Sequence, residues 1–500
     1  MKYVLSASEM QECDAYTIKN ITPSIELTEN AGKAIFKVIY KKYKDLKNVL
    51  IVAGGGGNGG DALVVARYLL NKGIKTYLYL ASTHLKEETK TNLSLYKGEK
   101  IEFDELNKIK FDLVVDGLLG IGINTPLNEK YLNLINKINS LNLKTVSIDI
   151  NSGIDATSGK SLGAFIKSEL TVAVEAYKYG HFFNEGIDAY KELKLISAKV
   201  NILKNNAFLK ALEEKDFKFA FKKRDRNSNK GDNGRVALIG GSKLTPGAIM
   251  LSLNALISLR LGSGYSRVCI PESLYNLYAL KNSENIYFLF KDNDGEIIFN
   301  EDDLNKVMKY NAISIGMGIG TSLEVYKIVS YLLKNYGGNL VLDADALNSI
   351  SKYGIDILKD HKPKNVILTP HIKEFSRLVN EDIESIKLNR IELAKNFTST
   401  YDVILILKDD VTLINHKEES YLNINGNAGL AKGGSGDLLS GIALGLFKSD
   451  DEPVKRAALA SYLLGKSADL AIKDINEYSL ISSDVSHYII KAINSIIKVK

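Results

Sequence analysis

The residues with the clearest chemical potential in the N-terminal half follow short apolar runs. Val49-Leu50-Ile51-Val52-Ala53 passes directly into Gly54-Gly55-Gly56-Gly57-Asn58-Gly59-Gly60-Asp61. Glycines let a backbone approach an anion closely, and the start of a helix offers free N–H groups and the positive end of its dipole. A phosphate or pyrophosphate is the natural guest, against the plainer reading of a surface turn. The spacing is not a simple GxGxxG, and the Lys of a P-loop is missing. Asp116 follows Leu113-Val114-Val115 and opens Gly117-Leu118-Leu119-Gly120-Ile121-Gly122; Asp149 follows Val146-Ser147-Ile148 and leads into Asn151-Ser152-Gly153. Asn58, Asp116 and Ser152 offer hard oxygen ligands to a cation, and Asp149 offers a group that exchanges protons. The competing reading for each Asp is a helix cap or a braced turn.

Near the C-terminus, Gly433-Gly434-Ser435-Gly436-Asp437 precedes Leu438-Leu439-Ser440-Gly441-Ile442-Ala443, whose apolar positions predict a helix. Glycine-rich backbone at a helix start makes an anion hole, and here a carboxylate sits beside it. Phosphoryl transfer to a hydroxyl needs both: donors for the transferring group and a base for the hydroxyl proton. An Asp in a first helical turn is also favourable on dipole grounds alone.

Both groups of residues require strands that end at one edge. The N-terminal half alternates strand and helix: a strand over 49–53, a helix over 62–70 stopped by Lys72-Gly73, and strands over 76–80, 113–115 and 146–148. A second series begins near Gly231, with strands over 236–239, 266–270, 312–315, 340–342, 366–368 and 403–407, a helix over 248–261, and a hairpin from 411–414 and 421–424. Alternation of this kind predicts mainly parallel α/β sheets with right-handed crossovers. In such sheets the strand termini converge on one edge, where ligands bind. The boundary is expected between residues 205 and 225, giving domains of residues 1–215 and 216–500. The basic run Lys222-Lys223-Arg224-Asp225-Arg226 is read as a solvated linker. A net charge of +6 spread over 500 residues is too weak and too scattered for a nucleic-acid partner. No apolar run reaches the ~20 residues that span a bilayer, and residues 1–10 lack the apolar core of a signal peptide. With only Cys13 and Cys269, a disulfide framework is excluded, which fits a cytoplasmic location.

The first half resembles the NAD(P)H-hydrate epimerases over roughly residues 1–210. The likeness lies in Glu29-Asn30-Ala31-Gly32, Gly57-Asn58-Gly59-Gly60-Asp61, the stretch from Asp116 to Pro126, that from Asp149 to Gly153, and Lys178 in Ala176-Tyr177-Lys178-Tyr179-Gly180. It implies a Rossmann-like three-layer domain with potassium at Asn58, Asp116 and Ser152. It also implies hydrate binding by Gly57, Asn58, Gly59, Gly60 and Asp61, by Gly120, Ile121, Gly122, Ile123, Asn124, Thr125 and Pro126, and by Asp149. Two positions depart from the family pattern: Gly57 stands where Asn is usual, and Asn151 where Pro is usual. Lys178 reads equally as a catalytic cation or a phosphate partner.

The second half resembles the ribokinase-like superfamily and, within it, the NAD(P)H-hydrate dehydratases over roughly residues 220–500. Six separated motifs carry this: Lys230-Gly231-Asp232-Asn233-Gly234-Arg235 into Ile239-Gly240-Gly241-Ser242, Gly316-Met317-Gly318-Ile319-Gly320, Leu342-Asp343-Ala344-Asp345-Ala346-Leu347-Asn348, Thr369-Pro370-His371-Ile372-Lys373-Glu374, Leu407-Lys408-Asp409-Asp410-Val411-Thr412, and the loop to Asp437. The resemblance implies a ribokinase-like three-layer domain that contacts the hydrate at Ala248, Gly318, His371 and Asp437. It places the nucleotide at Lys408, Asp409, Asp410, Val411, Thr412 and Gly436, with the Asp409 and Asp410 carboxylates turned away from the phosphates. Glu374 is expected to help position hydrated Mg²⁺. The combined expectation is an enzyme that repairs hydrated NADH and NADPH with ADP or ATP, Mg²⁺ and K⁺. Asp437 and Asp149 are its catalytic groups, with no nucleic acid or membrane partner and a homo-oligomeric assembly. The alternative is a ribokinase-type small-molecule kinase with a non-catalytic N-terminal binding domain.

Overall fold

The computed structural model describes residues 2–203, 209–253, 257–280 and 284–498. The chain forms two compact units, one over Lys2–Leu209 and one from Lys210 onward.

In the first unit, β1 (Lys2–Leu5) leads into helices α1 (Ala7–Asn20) and α2 (Ser24–Lys42). A Ser6–Glu9 capping box starts α1. There follow β2 (Asn48–Ala53), α3 (Gly57–Leu70), β3 (Lys75–Leu80), α4 (Glu87–Leu95), β4 (Glu99–Lys100), β5 (Leu113–Gly117), α5 (Glu129–Ser140), β6 (Thr145–Ile148), β7 (Ser168–Val174), β8 (Tyr177–Lys178) and β9 (Tyr190–Ile196). Seven strands make one sheet in the order β4-β3-β2-β5-β6-β7-β9, and every pairing in it is parallel. The pleat sends Val49, Ile51 and Ala53 into a core with Ile35, Ile39 and Leu63. Leu50 and Val52 go to the opposite core, with Leu134, Ile135 and Ile138 of α5. Burial on both faces explains why β2 reads as an unbroken apolar run. From β2 the chain winds outward through β3 and β4, then returns to lay β5 on the other side of β2. The switch point therefore lies between β2 and β5, at the ends that carry the glycine loop and Asp116.

Two boundaries differ from expectation. Helix α3 begins at Gly57, not residue 62, so Asn58, Gly59, Gly60 and Asp61 are its first turn. Strand β5 continues through Asp116 to Gly117, because Asp116 still pairs with Ser147 of β6.

In the second unit the strands Ile286–Phe290, Tyr265–Pro271, Arg235–Ile239, Ala312–Ile315, Asn339–Leu342, Asn365–Leu368 and Ile404–Leu407 lie side by side in that order, all parallel. The hairpin Thr412–His416 and Glu419–Asn423 adds two antiparallel strands. On one face Val236, Leu238, Val341, Ile367 and Ile404 pack against apolar residues of Ser435–Leu446, Pro453–Ala471 and Ser482–Lys498. The helix expected over 248–261 is seen as Pro246–Leu253 and Ile257–Arg260, and its middle lies outside the described residues. The run 222–226 is exposed throughout. No helix among the described residues is long and apolar enough to cross a membrane.

Candidate active sites

In the first unit, strand ends and helix starts enclose a cavity of about 1160 Å³. Ligand clefts usually fall at roughly 300–1,000 Å³, so this one is large enough for an extended molecule such as a dinucleotide. Gly57, Asn58 and Asp61 line it from α3, Gly120, Ile121, Gly122 and Ile123 from the loop after β5, and Asp149 and Lys178 from the sheet end. Gly59 and Gly60 sit behind this surface: a Cβ on Gly59 would stand 2.0 Å from the Gly54 carbonyl, and one on Gly60 would press on Thr28 and Thr89. Their role is close packing of helix on loop. Asn124, Thr125 and Pro126 are exposed and do not line the cavity.

Asp116 is fully buried beneath the loop. Ser152 Oγ donates to its Oδ1 at 2.6 Å, Ser147 Oγ to its Oδ2 at 2.8 Å, and the Ser152 and Leu118 amides add two more bonds. The Leu119 amide donates to Ser152 Oγ at 2.9 Å, and Asn58 Nδ2 donates to the Leu119 carbonyl at 3.1 Å. Asn58, Asp116 and Ser152 thus converge around the backbone of Leu119. Burial pushes the Asp116 carboxyl above its ordinary range, and hydrogen bonds alone counter it. The side-chain oxygens and the Leu119 carbonyl are hard donors around a carboxylate that has no cationic partner among the described residues, a set that suits a monovalent cation. Asn151, at the position where Pro is usual, is buried and donates to the Ile166 and Ala189 carbonyls at 2.9 and 2.8 Å. Side-chain bonds there fix the loop that a proline ring would otherwise stiffen.

Asp149 has φ +63, a conformation that non-glycine residues adopt only when their surroundings enforce it. Its amide donates to the Val172 carbonyl at 2.9 Å, and its Oδ1 accepts from the Val174 amide at 2.9 Å and from the Lys178 ammonium. Lys178 is fully buried, and its remaining donors go to the Val174 and Ala176 carbonyls at 2.9 and 3.1 Å. Its charge acts on Asp149, with no donor left for a phosphate. His181 Nδ1 accepts the Lys178 amide at 2.9 Å, so Nε2 carries the hydrogen bonded to the Asp149 carbonyl at 2.8 Å. Burial, helped by the Lys178 charge, lowers His181 to about 4 and keeps the ring neutral. Burial also raises Asp61 well above the usual carboxylate range.

In the second unit, Asp343, Thr369 and Lys408 each follow the C-terminal end of a neighbouring strand. Asp343 is the hub. Its Oδ1 accepts from Thr369 Oγ1 at 2.7 Å and Lys408 Nζ at 3.1 Å, and its Oδ2 accepts from Ser440 Oγ at 2.5 Å. A Cβ on Gly436 would lie 3.1 Å from Lys408 Nζ, so the lysine reaches the glycine loop at the head of Ser435–Leu446. Asp437 occupies the first turn of that helix. Burial first, then the charges of Asp343, Asp345 and Glu374 against the opposing Lys408, together raise its carboxyl to about 7. A base poised near neutrality is what general-base catalysis favours. Ser252 Oγ donates to the Asp437 carbonyl at 2.8 Å, tying this turn to Pro246–Leu253. At the head of Pro246–Leu253, Gly318 has φ +65, and a Cβ there would stand 2.9 Å from Ala248 Cβ.

His371 caps the helix Ile372–Val379: its Nδ1 accepts from the Lys373 and Glu374 amides at 3.1 and 3.2 Å. The His371 amide donates to Glu374 Oε2 at 2.9 Å. The ring is half exposed, and its Nε2 lies 3.6 Å from Glu374 Oε1. Asp409 pairs with Arg390 at 3.1 Å, so its carboxylate is turned to the helix Ile383–Tyr401. Val411 is buried, and Asp410 and Thr412 are half buried to exposed. The residues that sequence reasoning left without a role are Asp343, Thr369, Ser440 and, in the first unit, Asp14. Only the placement of Asp343 at a strand end in Asp343-Ala344-Asp345 signalled it.

Comparison with known proteins agrees with this geometry. Residues 236–491 match the family model described as NAD(P)H-hydrate dehydratase, and residues 24–180 match the YjeF-related protein N-terminus. The bifunctional NAD(P)H-hydrate repair enzyme of Dictyoglomus turgidum is 32% identical over 499 residues, covering 95% of each chain. That of Escherichia coli is 30% identical, covering 94% of this chain and 89% of its own. A ribokinase-like superfamily protein of Enterococcus faecalis shares the fold of the second unit, with 23% identity, a TM-score of 0.50, and coverage of 58% of this chain and 96% of its own. The near-full-length likeness, spanning both sets of site residues, means that this chain belongs to the family of bifunctional NAD(P)H-hydrate repair enzymes.

Proposed function

We propose that the chain restores hydrated NADH and NADPH in two reactions: residues 1–215 interconvert the two C6 epimers of the hydrate, and residues 216–500 dehydrate one of them at the expense of ADP or ATP. The observation that carries the reading is Asp437, a carboxyl raised to about 7 at the head of a glycine-loop helix beside Lys408.

Hydroxide is a poor leaving group, so the C6 hydroxyl must first be activated. Asp437 takes the hydroxyl proton as the oxygen attacks the terminal phosphoryl group. The amides of the loop to Gly436 and the Lys408 ammonium stabilise the charge that moves with that group. Phosphate then leaves C6, pushed by the ring-nitrogen lone pair, and loss of a C5 proton restores the double bond. AMP or ADP and phosphate are the other products. His371, Ala248 and Gly318 hold the hydrate, and Lys408, Asp409, Asp410, Val411, Thr412 and Gly436 form the nucleotide side, with the Asp409 carboxylate withdrawn to Arg390. Four carboxylates, Asp343, Asp345, Glu374 and Asp437, share this site with the Lys408 ammonium. That excess of negative charge fits a divalent cation arriving with the nucleotide, and Glu374 would help hold hydrated Mg²⁺ there. The ion supplies charge neutralisation on the phosphates.

In the first unit, Gly57, Asn58 and Asp61 together with Gly120 to Ile123 bind the hydrate. Asp149, fixed by Lys178, exchanges the proton of its C6 hydroxyl. Asn58, Asp116 and Ser152 would hold K⁺, whose charge anchors the loop around Leu119. The test is chromatography of the separate epimers. Without nucleotide the chain should convert either epimer into the mixture, and with Mg²⁺ and nucleotide it should release one phosphate per reduced cofactor formed. A stable phosphorylated product would show instead a small-molecule kinase.

A further inference from the structure

Two carboxyl groups at the cavity of the first unit, Asp14 and Asp61, make no side-chain hydrogen bond or ion pair with any described residue. Asp14 of α1 lines the cavity together with Asp149 and Lys178. Lys178 and Asp149 are committed to each other and to the backbone. All three donors of Lys178 are taken within the protein, and Asp149 Oδ1 already accepts two of the available hydrogens. Asp61 is raised well above the usual carboxylate range, chiefly by its complete burial and further by the charges of Asp149 and Asp14.

Epimerisation at C6 needs a second proton-exchanging group. The C6 carbon bears both the hydroxyl and the ring nitrogen, so its configuration is lost when the bond to nitrogen breaks. We propose that Asp14 is a second catalytic residue of C6 epimerisation, the acid that acts across the cavity from the Asp149–Lys178 pair. This inference rests on the epimerase reading of the first unit.

Asp149 takes the hydroxyl proton as the C6–N1 bond breaks. The oxygen lone pair forms the aldehyde C=O, the C6–N1 electron pair goes to N1, and Asp14 supplies the proton that N1 gains. Rotation about C5–C6 turns the other face of the aldehyde to N1. The steps then reverse: N1 adds to C6, its proton returns to Asp14, and Asp149 gives its proton to the new hydroxyl. Nothing is oxidised or reduced, and both carboxyl groups end as they began.

The surroundings suit an acid. Burial raises Asp14 to about 6, with Asp149 and Glu175 raising it and Lys178 and Lys86 opposing. These groups face it from the end of β6, the turn after β7, β8 and the approach to α4, and Asp61 faces it from α3. A carboxyl that exchanges its proton close to neutrality serves better than one locked in either state.

The experiment follows epimer exchange in the full chain, without nucleotide, between pH 5 and 8, for the wild type, Asp14→Asn and Asp14→Glu. The wild-type kcat/KM is expected to fall as pH rises above about 6, since the acid loses its proton. Asp14→Asn should slow exchange by about 10²-fold or more and lose that limb. Asp14→Glu should recover part of the rate together with the limb. Exchange by Asp14→Asn at the wild-type rate would overturn the assignment. So would equal slowing in both variants with a wild-type pH profile, which marks a structural role. A wild-type chain that exchanges no epimers would overturn the epimerase reading and this inference with it.

Discussion

In the proposed dehydration Asp437 is the base, and its surroundings set its pH dependence. A base acts only when ionised. With its carboxyl raised to about 7, kcat/KM for dehydration should rise with pH through about 7 and level off above. Asp437→Asn should lower the rate by about 10²–10⁴-fold at constant thermal stability, as seen in steady-state kinetics with the reactive epimer. Asp343 supplies part of the charge that holds the base high. Asp343→Asn should therefore move the acid limb to lower pH, and should also lower the plateau, because Lys408 loses its anchor. A pH profile separates the two effects, and an unmoved limb would deny that Asp343 acts on Asp437 through its charge. Asp149 stood out in the sequence because it ends an apolar run at a turn, and Asp437 because it closes a glycine run just before an apolar helix. The hub at Asp343 did not. Its partners Thr369, Lys408 and Ser440 are 26, 65 and 97 residues away, and only the strand order brings them together. Asp14 carries no local signal either, since it is one polar residue on an ordinary helix.

At the scale of elements, the strands were readable because residues buried on both faces form unbroken apolar runs. The start of α3 was not. Glycine is a poor helix former, so the stretch from Gly57 to Gly60 reads as loop, yet it is the first turn of α3. Packing outweighs propensity there: Gly59 fits against the Gly54 carbonyl only without a side chain. Gly59→Ala should cost about 1–3 kcal/mol by overpacking, seen as a lower urea midpoint for the first unit. Gly56→Ala, where a Cβ meets nothing within 4 Å, should leave the midpoint nearly unchanged. Equal effects at both positions would show that backbone entropy, not close packing, governs the loop. Asp116 was read as the residue after a strand but lies within it. A buried carboxylate inside a strand is tolerated because Ser147, Ser152 and the Leu118 amide satisfy it.

At the scale of the molecule, the proposed function gives the two compact units separate ligands, so their stabilities should respond separately. A ligand at 100 times its Kd adds about 2.7 kcal/mol to the unit that binds it. In calorimetry, ADP or ATP with Mg²⁺ should raise the transition of the second unit alone. Exchange of K⁺ for tetramethylammonium should lower that of the first unit alone. A shift of the second transition on K⁺ removal would contradict the placement of the ion at Asn58, Asp116 and Ser152. The central claim is that both units serve one substrate pool, and it is tested most directly by absorbance at the reduced-nicotinamide wavelength. Purified chain is added to a mixed-epimer NADPH hydrate preparation with Mg²⁺, K⁺ and either ADP or ATP. Two active units predict recovery of reduced cofactor from the whole mixture with at least one nucleotide; no recovery with either would contradict the account.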